Sequence, residues 1–384
     1  MQIKSLDPII VRAQDVGKEN SLNVGGYTGY QVLVKVETDE GITGWGECCT
    51  GSEFGEAAWA TKTLIEKGFT PRVIGDNPLE YRKIWNKLYY ATEWYGRRGL
   101  AIFALSGVDT ALLDISGKAL GIPICYLMGG CFKKEIRVYA SLLFDMQNFE
   151  ETAKKALPYI KEGYFGVKFG WGQSAETAFG LDPERDEKMI ETIRNVIGPD
   201  TRLMIDVGRY VNWNLTQAKI MAKRFEKYDV YWLEEPLPQD DINGYAELAR
   251  SVDIPIAGGE GYQTIYEFHE ILAKNALDII QPDPSKLGGL SEAREVVRLI
   301  ELYNKNWVPH NWSTAINTAA CLQLVASSQS CDLIEFKKEP NPLVHDILKH
   351  PFELHNGKIM LPQKPGLGIE VDEDKVYKYS IDSK

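Results

Sequence analysis

Arg202-Leu-Met-Ile-Asp206, Val230-Tyr-Trp-Leu-Glu234-Glu235-Pro236 and Ile254-Pro-Ile-Ala-Gly-Gly-Glu260 are three short apolar runs, each followed by an acid. The acids Asp206, Glu234 and Glu260 stand 28 and 26 residues apart, about the length of one strand–helix unit. One acid at a strand end is ordinary, because strand ends are solvated. Three in successive units predict oxygen ligands gathered around one hard cation at the mouth of a parallel barrel.

The same rhythm extends in both directions. From Ile136 onward, apolar β-rich runs centre near Val138, Val167, Met204, Trp232, Ile256, Ile279, Val308 and Ile334. Amphipathic helical stretches such as Glu184 to Val196 and Leu215 to Lys227 separate them. Eight nearly continuous apolar strands alternating with helices predict a parallel (β/α) barrel. A doubly wound open sheet would normally carry a glycine-rich first turn, and GxGxxG is absent.

The opening 130 residues follow another pattern. Ile9 to Arg12, Tyr30 to Glu37 and Ile42 to Glu47 read as an antiparallel meander, with Asp39-Glu-Gly41 as a turn. Helical periodicity follows over Phe54–Lys67, Pro78–Tyr90 and Ala101–Leu120. Strands followed by helices indicate an α+β domain. Val24 to Gly29 reads as a glycine-rich mobile loop. After Asn341 the repeat decays, Lys358 to Leu361 looks like one more strand, and the turn-rich Pro362 to Glu370 has no place in it. The expected division is a cap over 1–130 completed by 351–384, and a barrel over 131–350.

Composition narrows the function. A chain of 384 residues, 44% hydrophobic and 25% charged, has an ordinary globular make-up. A net charge of −11 without a basic cluster argues against nucleic acid and anionic membranes as partners. An anionic substrate would need local positive charge, which a divalent cation and an inward lysine would supply. The six cysteines have no zinc-ligand spacing and read as reduced core thiols of a cytoplasmic protein. The N-terminus lacks a signal-peptide core, and the most apolar stretch, Leu100 to Leu120, is interrupted by Asp109 and Asp114.

In a parallel barrel the chemistry gathers where the strands end. Strand two carries Lys168, strands three to five end in Asp206, Glu234 and Glu260, strand six in Asp283, strand seven in His310, and strand eight carries Glu335. Clustered carboxylates repel one another unless a cation neutralises them. With oxygen ligands alone, Mg²⁺ is the first assignment and Mn²⁺ the second. His310 and Asp283 end adjacent strands, as a base and its orienting carboxylate should; the plainer alternative is a histidine hydrogen-bonded in a loop. Lys168 is a base, a carboxylate clamp, or a lysine that snorkels outward, and its glycine neighbours favour the inward readings. Glu335 either donates a hydrogen bond to a developing oxyanion, if burial raises its pKa, or stands behind the site.

Ordered together, Gly163-Tyr-Phe-Gly-Val-Lys168, Met204-Ile-Asp206, Trp232-Leu-Glu-Glu-Pro236, Gly258-Gly-Glu260, Gln281-Pro-Asp-Pro-Ser-Lys-Leu-Gly-Gly289, Pro309-His310 and Pro365-Gly-Leu-Gly368 resemble the enolase superfamily, and within it the mandelate racemase subgroup. The resemblance covers nearly the whole chain. It implies a modified (β/α)7β TIM-type barrel under an α+β cap formed from both chain ends. It also implies Asp206, Glu234 and Glu260 as Mg²⁺ ligands, Asp283 with His310 as the catalytic dyad, and Glu335 as an acid opposite the substrate carboxylate. The shared partial reaction is removal of the proton α to a carboxylate, with the enediolate stabilised by metal. Family members are commonly symmetric homo-oligomers.

The chain departs from this pattern in one place. Strand two usually carries Lys-x-Lys, the second lysine being a base opposite the histidine; here Lys168 fills the first position and Gly170 the second. Both point the same way along a strand, so an inward base is missing. A two-base racemase needs a base on each face of its substrate, whereas a dehydratase needs only one. The expected activity is therefore dehydration of a sugar acid such as an aldonate to its 2-keto-3-deoxy product, with Lys168 holding the carboxylate. The alternative is a racemase or epimerase of a 2-hydroxy acid using Tyr210 as the opposite base. Loop residues expected near the substrate are Tyr27, Tyr30, Trp45, Trp171, Arg209, Tyr210 and Trp312.

Overall fold

The computed structural model describes residues 1–13, 29–52, 54–172, 178–208, 211, 213–336 and 341–381. Its first strands, β1 (Ile3–Arg12), β2 (Tyr30–Thr38) and β3 (Thr43–Cys48), form an antiparallel sheet in the order β1-β2-β3. Helices α1 (Glu56–Thr63) and α3 (Leu100–Leu120) pack against it, and α2 (Tyr81–Ala91) packs on α3. Gly44 and Gly46 of β3 face α3, where a Cβ on either would collide with the backbone oxygens of Ala111 and Gly107. Period-two alternation then turns Trp45 and Glu47 the other way, and both are buried.

Helix α3 is the most apolar stretch of the chain and lies buried along most of its length. The two acids that interrupt it are its ties to other segments. Asp114 accepts from Trp45 N at 3.0 Å, from Leu367 N at 2.8 Å and from Lys118 Nζ at 2.7 Å. Asp109 accepts from Ser291 N at 2.8 Å and Ser291 Oγ at 2.6 Å. Each buried carboxylate is thus hydrogen-bonded, as burial of a charge demands.

Eight strands then run parallel: β4 (Glu135–Leu143), β5 (Gly166–Gly170), β6 (Arg202–Asp206), β7 (Val230–Glu234), β8 (Ile256–Gly258), β9 (Ile279–Ile280), β10 (Asn306–Trp307) and β11 (Leu333–Glu335). The eighth, β11, pairs with the first, β4, which brings the row of strands round on itself. The crossovers are two short helical segments after β4, Phe149–Lys154 and Leu157–Lys161, then α4 (Pro183–Ile197), α5 (Leu215–Phe225), α6 (Ile242–Ser251), α7 (Thr264–Ala273), α8 (Leu290–Leu302) and α9 (Ala315–Ala326). Local signals start them: Asp182 accepts from Glu184 N and Arg185 N ahead of Pro183, and Asn214 with Gln217 forms a capping box. This is a modified (β/α)7β barrel with an α+β cap.

The tail divides differently from expectation. Strands β12 (Leu354–His355) and β13 (Lys358–Met360) form a hairpin whose second strand pairs antiparallel with β4, so it extends the barrel sheet rather than the cap. Beyond it, Ile124 N donates to Gly366 O at the end of the cap helices, and α10 (Glu373–Tyr379) packs on β1. Ile381 N donates to Ile10 O, and Lys35 reaches Glu373 at 2.8 Å. All six cysteines are free thiols, and five are buried.

Candidate active site

The side chains at the barrel's C-terminal end meet in one cleft. It is lined by Ser141, Leu142, Leu143, Lys168, Gly170, Trp171, Asp206, Glu260, Lys286, His310, Trp312 and Glu335, and contains about 590 Å³ of empty space, part of it open to solvent. Lys168 lines it and is 3% exposed. Its Nζ stands 2.7 Å from Glu234 Oε1, 3.1 Å from Glu335 Oε1 and 3.7 Å from Asp206 Oδ2. Burial works against the ammonium charge, but Glu234 and Glu335 outweigh it and hold Lys168 well above its usual range. Lys168 is a fixed cation here, not a free base.

The second cluster centres on His310. Its Nδ1 is 2.6 Å from Asp283 Oδ2, and its Nε2 is 2.8 Å from Glu260 Oε2. Asp283 is fully buried, and its other oxygen accepts from Ser285 N, Ser285 Oγ and Asn317 Nδ2 at 2.8, 2.7 and 3.1 Å. Burial disfavours the imidazolium, yet the charge of Glu260 and the Asp283 hydrogen bond lift the ring to about 10. Lys286 Nζ lies 3.2 Å from Glu260 Oε1.

Asp206 and Glu234 end β6 and β7, Glu260 lies two residues beyond β8, and all three are buried. Burial, with Glu234 beside it, pushes the Asp206 carboxyl well above the usual carboxylate range. Glu234 is held by Lys168 and by Trp232 Nε1 at 2.9 Å, Asp206 accepts from Trp171 Nε1 at 3.2 Å, and Glu260 faces His310 and Lys286. Among the described residues no three acid, histidine or cysteine side chains already form a coordination cage; the acids turn to the nearby cations instead. The donor chemistry nonetheless fits a hard divalent ion: the buried acids Asp206, Glu234, Glu260, Asp283 and Glu335 outnumber the cations Lys168, Lys286 and His310 that face them, and neutralising Glu260 would return His310 toward the range of a base.

Glu335 differs from the reading as a proton donor. Burial alone would raise its pKa, but Lys168, His310 and the Asn311 N–H at 3.0 Å pull it below the usual carboxylate range. It is a carboxylate, stabilised by charges that no strand-by-strand reading could place. Gly170 lines the cleft on the same strand as Lys168 and offers no side chain.

The loop aromatics separate. Trp171 and Trp312 line the cleft. Trp45 packs into the core, and Tyr30 lies outside the cleft lining, its hydroxyl accepting from Arg12 at 2.9 Å. Tyr27, Arg209 and Tyr210 lie outside the described residues, as does most of the glycine-rich segment 24–29. Strand-end reading missed Ser141, Leu142, Leu143 and Lys286. For Ser141 a signal existed, because it lies two residues before the end of the first barrel strand, where inward residues reach the mouth. For Lys286, three residues beyond Asp283, none did.

Residues 151–375 match the family described as "Enolase C-terminal domain-like", and residues 26–129 the "Mandelate racemase / muconate lactonizing enzyme, N-terminal domain". The chain is 34% identical to a D-galactarolactone cycloisomerase of Agrobacterium fabrum, with 91% of each chain covered. It is 32% identical to an arabinonate dehydratase of Saccharolobus solfataricus, covering 92% of this chain and 91% of that one. A crystal structure of the 3,6-anhydro-D-galactonate cycloisomerase from Zobellia galactanivorans superposes with a TM-score of 0.87 at 33% identity, covering 99% of both chains.

Proposed function

The chain belongs to the mandelate racemase/muconate lactonizing enzyme family of the enolase superfamily, and on that premise we propose that it dehydrates a polyhydroxy sugar acid to a 2-keto-3-deoxy acid. The observation that supports this most is the one-sided site: a histidine–aspartate dyad and a fixed lysine, with glycine where a second base would stand. Relatives named arabinonate, D-xylonate and D-galactonate dehydratases agree with it.

In this reading Lys168 pairs with the substrate carboxylate. Asp283 fixes the His310 tautomer through Nδ1, so Nε2 takes the proton from C2. The electrons of the broken C–H bond move into the carboxylate to give an enediolate, then expel the C3 oxygen with its bonding pair. His310 returns its proton to that oxygen, water leaves, and the enol tautomerises to the ketone. Asp206, Glu234 and Glu260 would hold Mg²⁺, with Mn²⁺ as substitute, which when bound supplies positive charge for the enediolate.

A second reading is favoured by the cleft's apolar wall, Leu142, Leu143, Trp171 and Trp312, and by the two relatives named cycloisomerases. Such a wall suits the C–H face of a cyclic acid. If the departing C3 oxygen belongs to a ring, the same steps open the ring and the product is an isomer. The racemase alternative requires a base opposite His310, for which the sequence offers Tyr210.

The test is incubation with Mg²⁺ and a panel of D-galactonate, D-xylonate, D-gluconate, arabinonate and 3,6-anhydro-D-galactonate, followed by semicarbazide detection of 2-keto product and mass spectrometry. Loss of water with 2-keto product supports dehydration, and 2-keto product at unchanged mass supports ring opening. Racemisation of simple 2-hydroxy acids as the sole activity would overturn both.

A further inference from the structure

The cap reaches the dyad through Asn317 and Ser285. Glu47 ends the Gly44-Trp45-Gly46-Glu47 run, where the two glycines let β3 lie on the backbone of α3 and the alternation aims Glu47 at the barrel. Its carboxylate is 2% exposed and caps the start of α9. Thr314 N donates to Oε1 at 3.0 Å; Thr314 Oγ1 and Asn317 N donate to Oε2 at 2.6 and 2.9 Å. A carboxylate at a helix N-terminus takes donors the helix cannot satisfy itself and gains from the helix dipole.

Asn317, held this way through its backbone, turns its side-chain Nδ2 to Asp283 Oδ1 at 3.1 Å. A second tie arrives two residues further along the cap. Cys49 N donates to Ser285 O at 3.1 Å, and Ser285 donates to the same Asp283 oxygen through N and Oγ. Both routes end on the oxygen of Asp283 that does not face His310. They leave the other oxygen aimed at Nδ1 at 2.6 Å.

We propose that Glu47 is a positioning residue for the Asp283–His310 dyad, acting from the cap through Asn317. Its hold on the start of α9 fixes Asn317, Asn317 fixes the rotation of the Asp283 carboxylate, and that rotation sets the imidazole plane. The cap is then part of the proton-transfer machinery. The inference rests on the dyad as the proton-transfer pair, but not on which acid is the substrate.

The test compares Glu47→Gln, Asn317→Ala and the double variant in magnesium-supplemented enzyme. The first readout is independent of turnover: the far-downfield proton NMR signal of the Asp283–His310 hydrogen bond and its exchange with solvent. The second is kcat against KM on whichever acid of the panel the wild type converts. The expected result is exchange of that proton accelerated ~10-fold or more in both single variants, kcat lowered by about the same factor with KM within about twofold, and a double variant no worse than the worse single one. Asn317→Ala guards against a folding defect, because it leaves the Glu47 cap on α9 in place. An unchanged proton signal in Asn317→Ala, or a kcat loss confined to Glu47→Gln that tracks its folded fraction, overturns the proposal. A wild type that keeps the signal but converts no acid would instead overturn the proposed function.

Discussion

A Cβ placed on Gly170 would stand 2.9 Å from the Cβ of Asp206 and 3.2 Å from its Oδ2. The two residues are partners in the β5–β6 register. The strand has closed over the place where a second base would sit, and it uses that space to seat a proposed metal ligand. Gly170→Ala should therefore push Asp206 aside. Calorimetric titration with Mg²⁺ should show affinity lowered about 10–100-fold, the range for groups that orient a ligand. Gly170→Lys should weaken it at least as much and should not create a racemase. Unchanged Mg²⁺ affinity in Gly170→Ala would show that Asp206 is not a ligand or tolerates the shift.

His310→Asn removes the ring nitrogen that pairs with Asp283. Turnover and exchange of the C2 proton with D₂O should both fall by about 10²–10⁴, while Mg²⁺ binding persists. Exchange retained at the wild-type rate would place the base elsewhere.

Lys168→Met leaves Glu234 and Glu335 buried without the cation that now stands 2.7 and 3.1 Å away. Breaking a buried pair by removing one partner costs about 3–5 kcal/mol. The metal-free variant should melt at lower temperature than wild type and gain more from added Mg²⁺, which binds the folded state alone. Thermal melts with and without 10-fold steps of Mg²⁺ check this, and equal metal-induced shifts in the two proteins would contradict it.

Asp109 predicts a pH dependence of stability. Burial pushes its carboxyl to about 7, against the hydrogen bonds from Ser291 that favour the charged form. The folded state thus holds this proton more tightly than the unfolded chain, so stability is greatest below the unfolded pKa and falls as pH rises to about 7, levelling beyond it. Asp109→Asn should abolish that slope. Comparing urea unfolding at pH 5 and pH 8, the loss in wild type should exceed that in the variant by about 3 kcal/mol. A steeper loss in Asp109→Asn would reverse the sign and exclude this account.

Much of the barrel was legible because parallel strands force period and position to agree: an acid at the end of each of three successive strands has one mouth to face. Lys168, Asp283 and His310 are read from the chain by the same rule. Ionisation was not legible. Glu335 reads equally as a burial-raised proton donor or as an acid behind the site until Lys168 and His310, from other strands, are placed beside it. Lys358 to Leu361 reads as one more strand, but its pairing with β4 was not legible, because no local signal says which sheet edge a short strand joins.

The sequence by itself determined the repeat, the residue types at the strand ends and the absence of a lysine at 170, since each follows from local spacing and chain chirality. Tertiary structure alone decided how cap and barrel meet. Glu47 lies 267 residues from Thr314, and Asp109 lies 182 from Ser291. Hydrogen bonds over such separations depend on the packing of two domains and have no local period. Gly170 belongs to both accounts: its identity is read from the chain, but the reason no side chain fits there is Asp206, on the neighbouring strand.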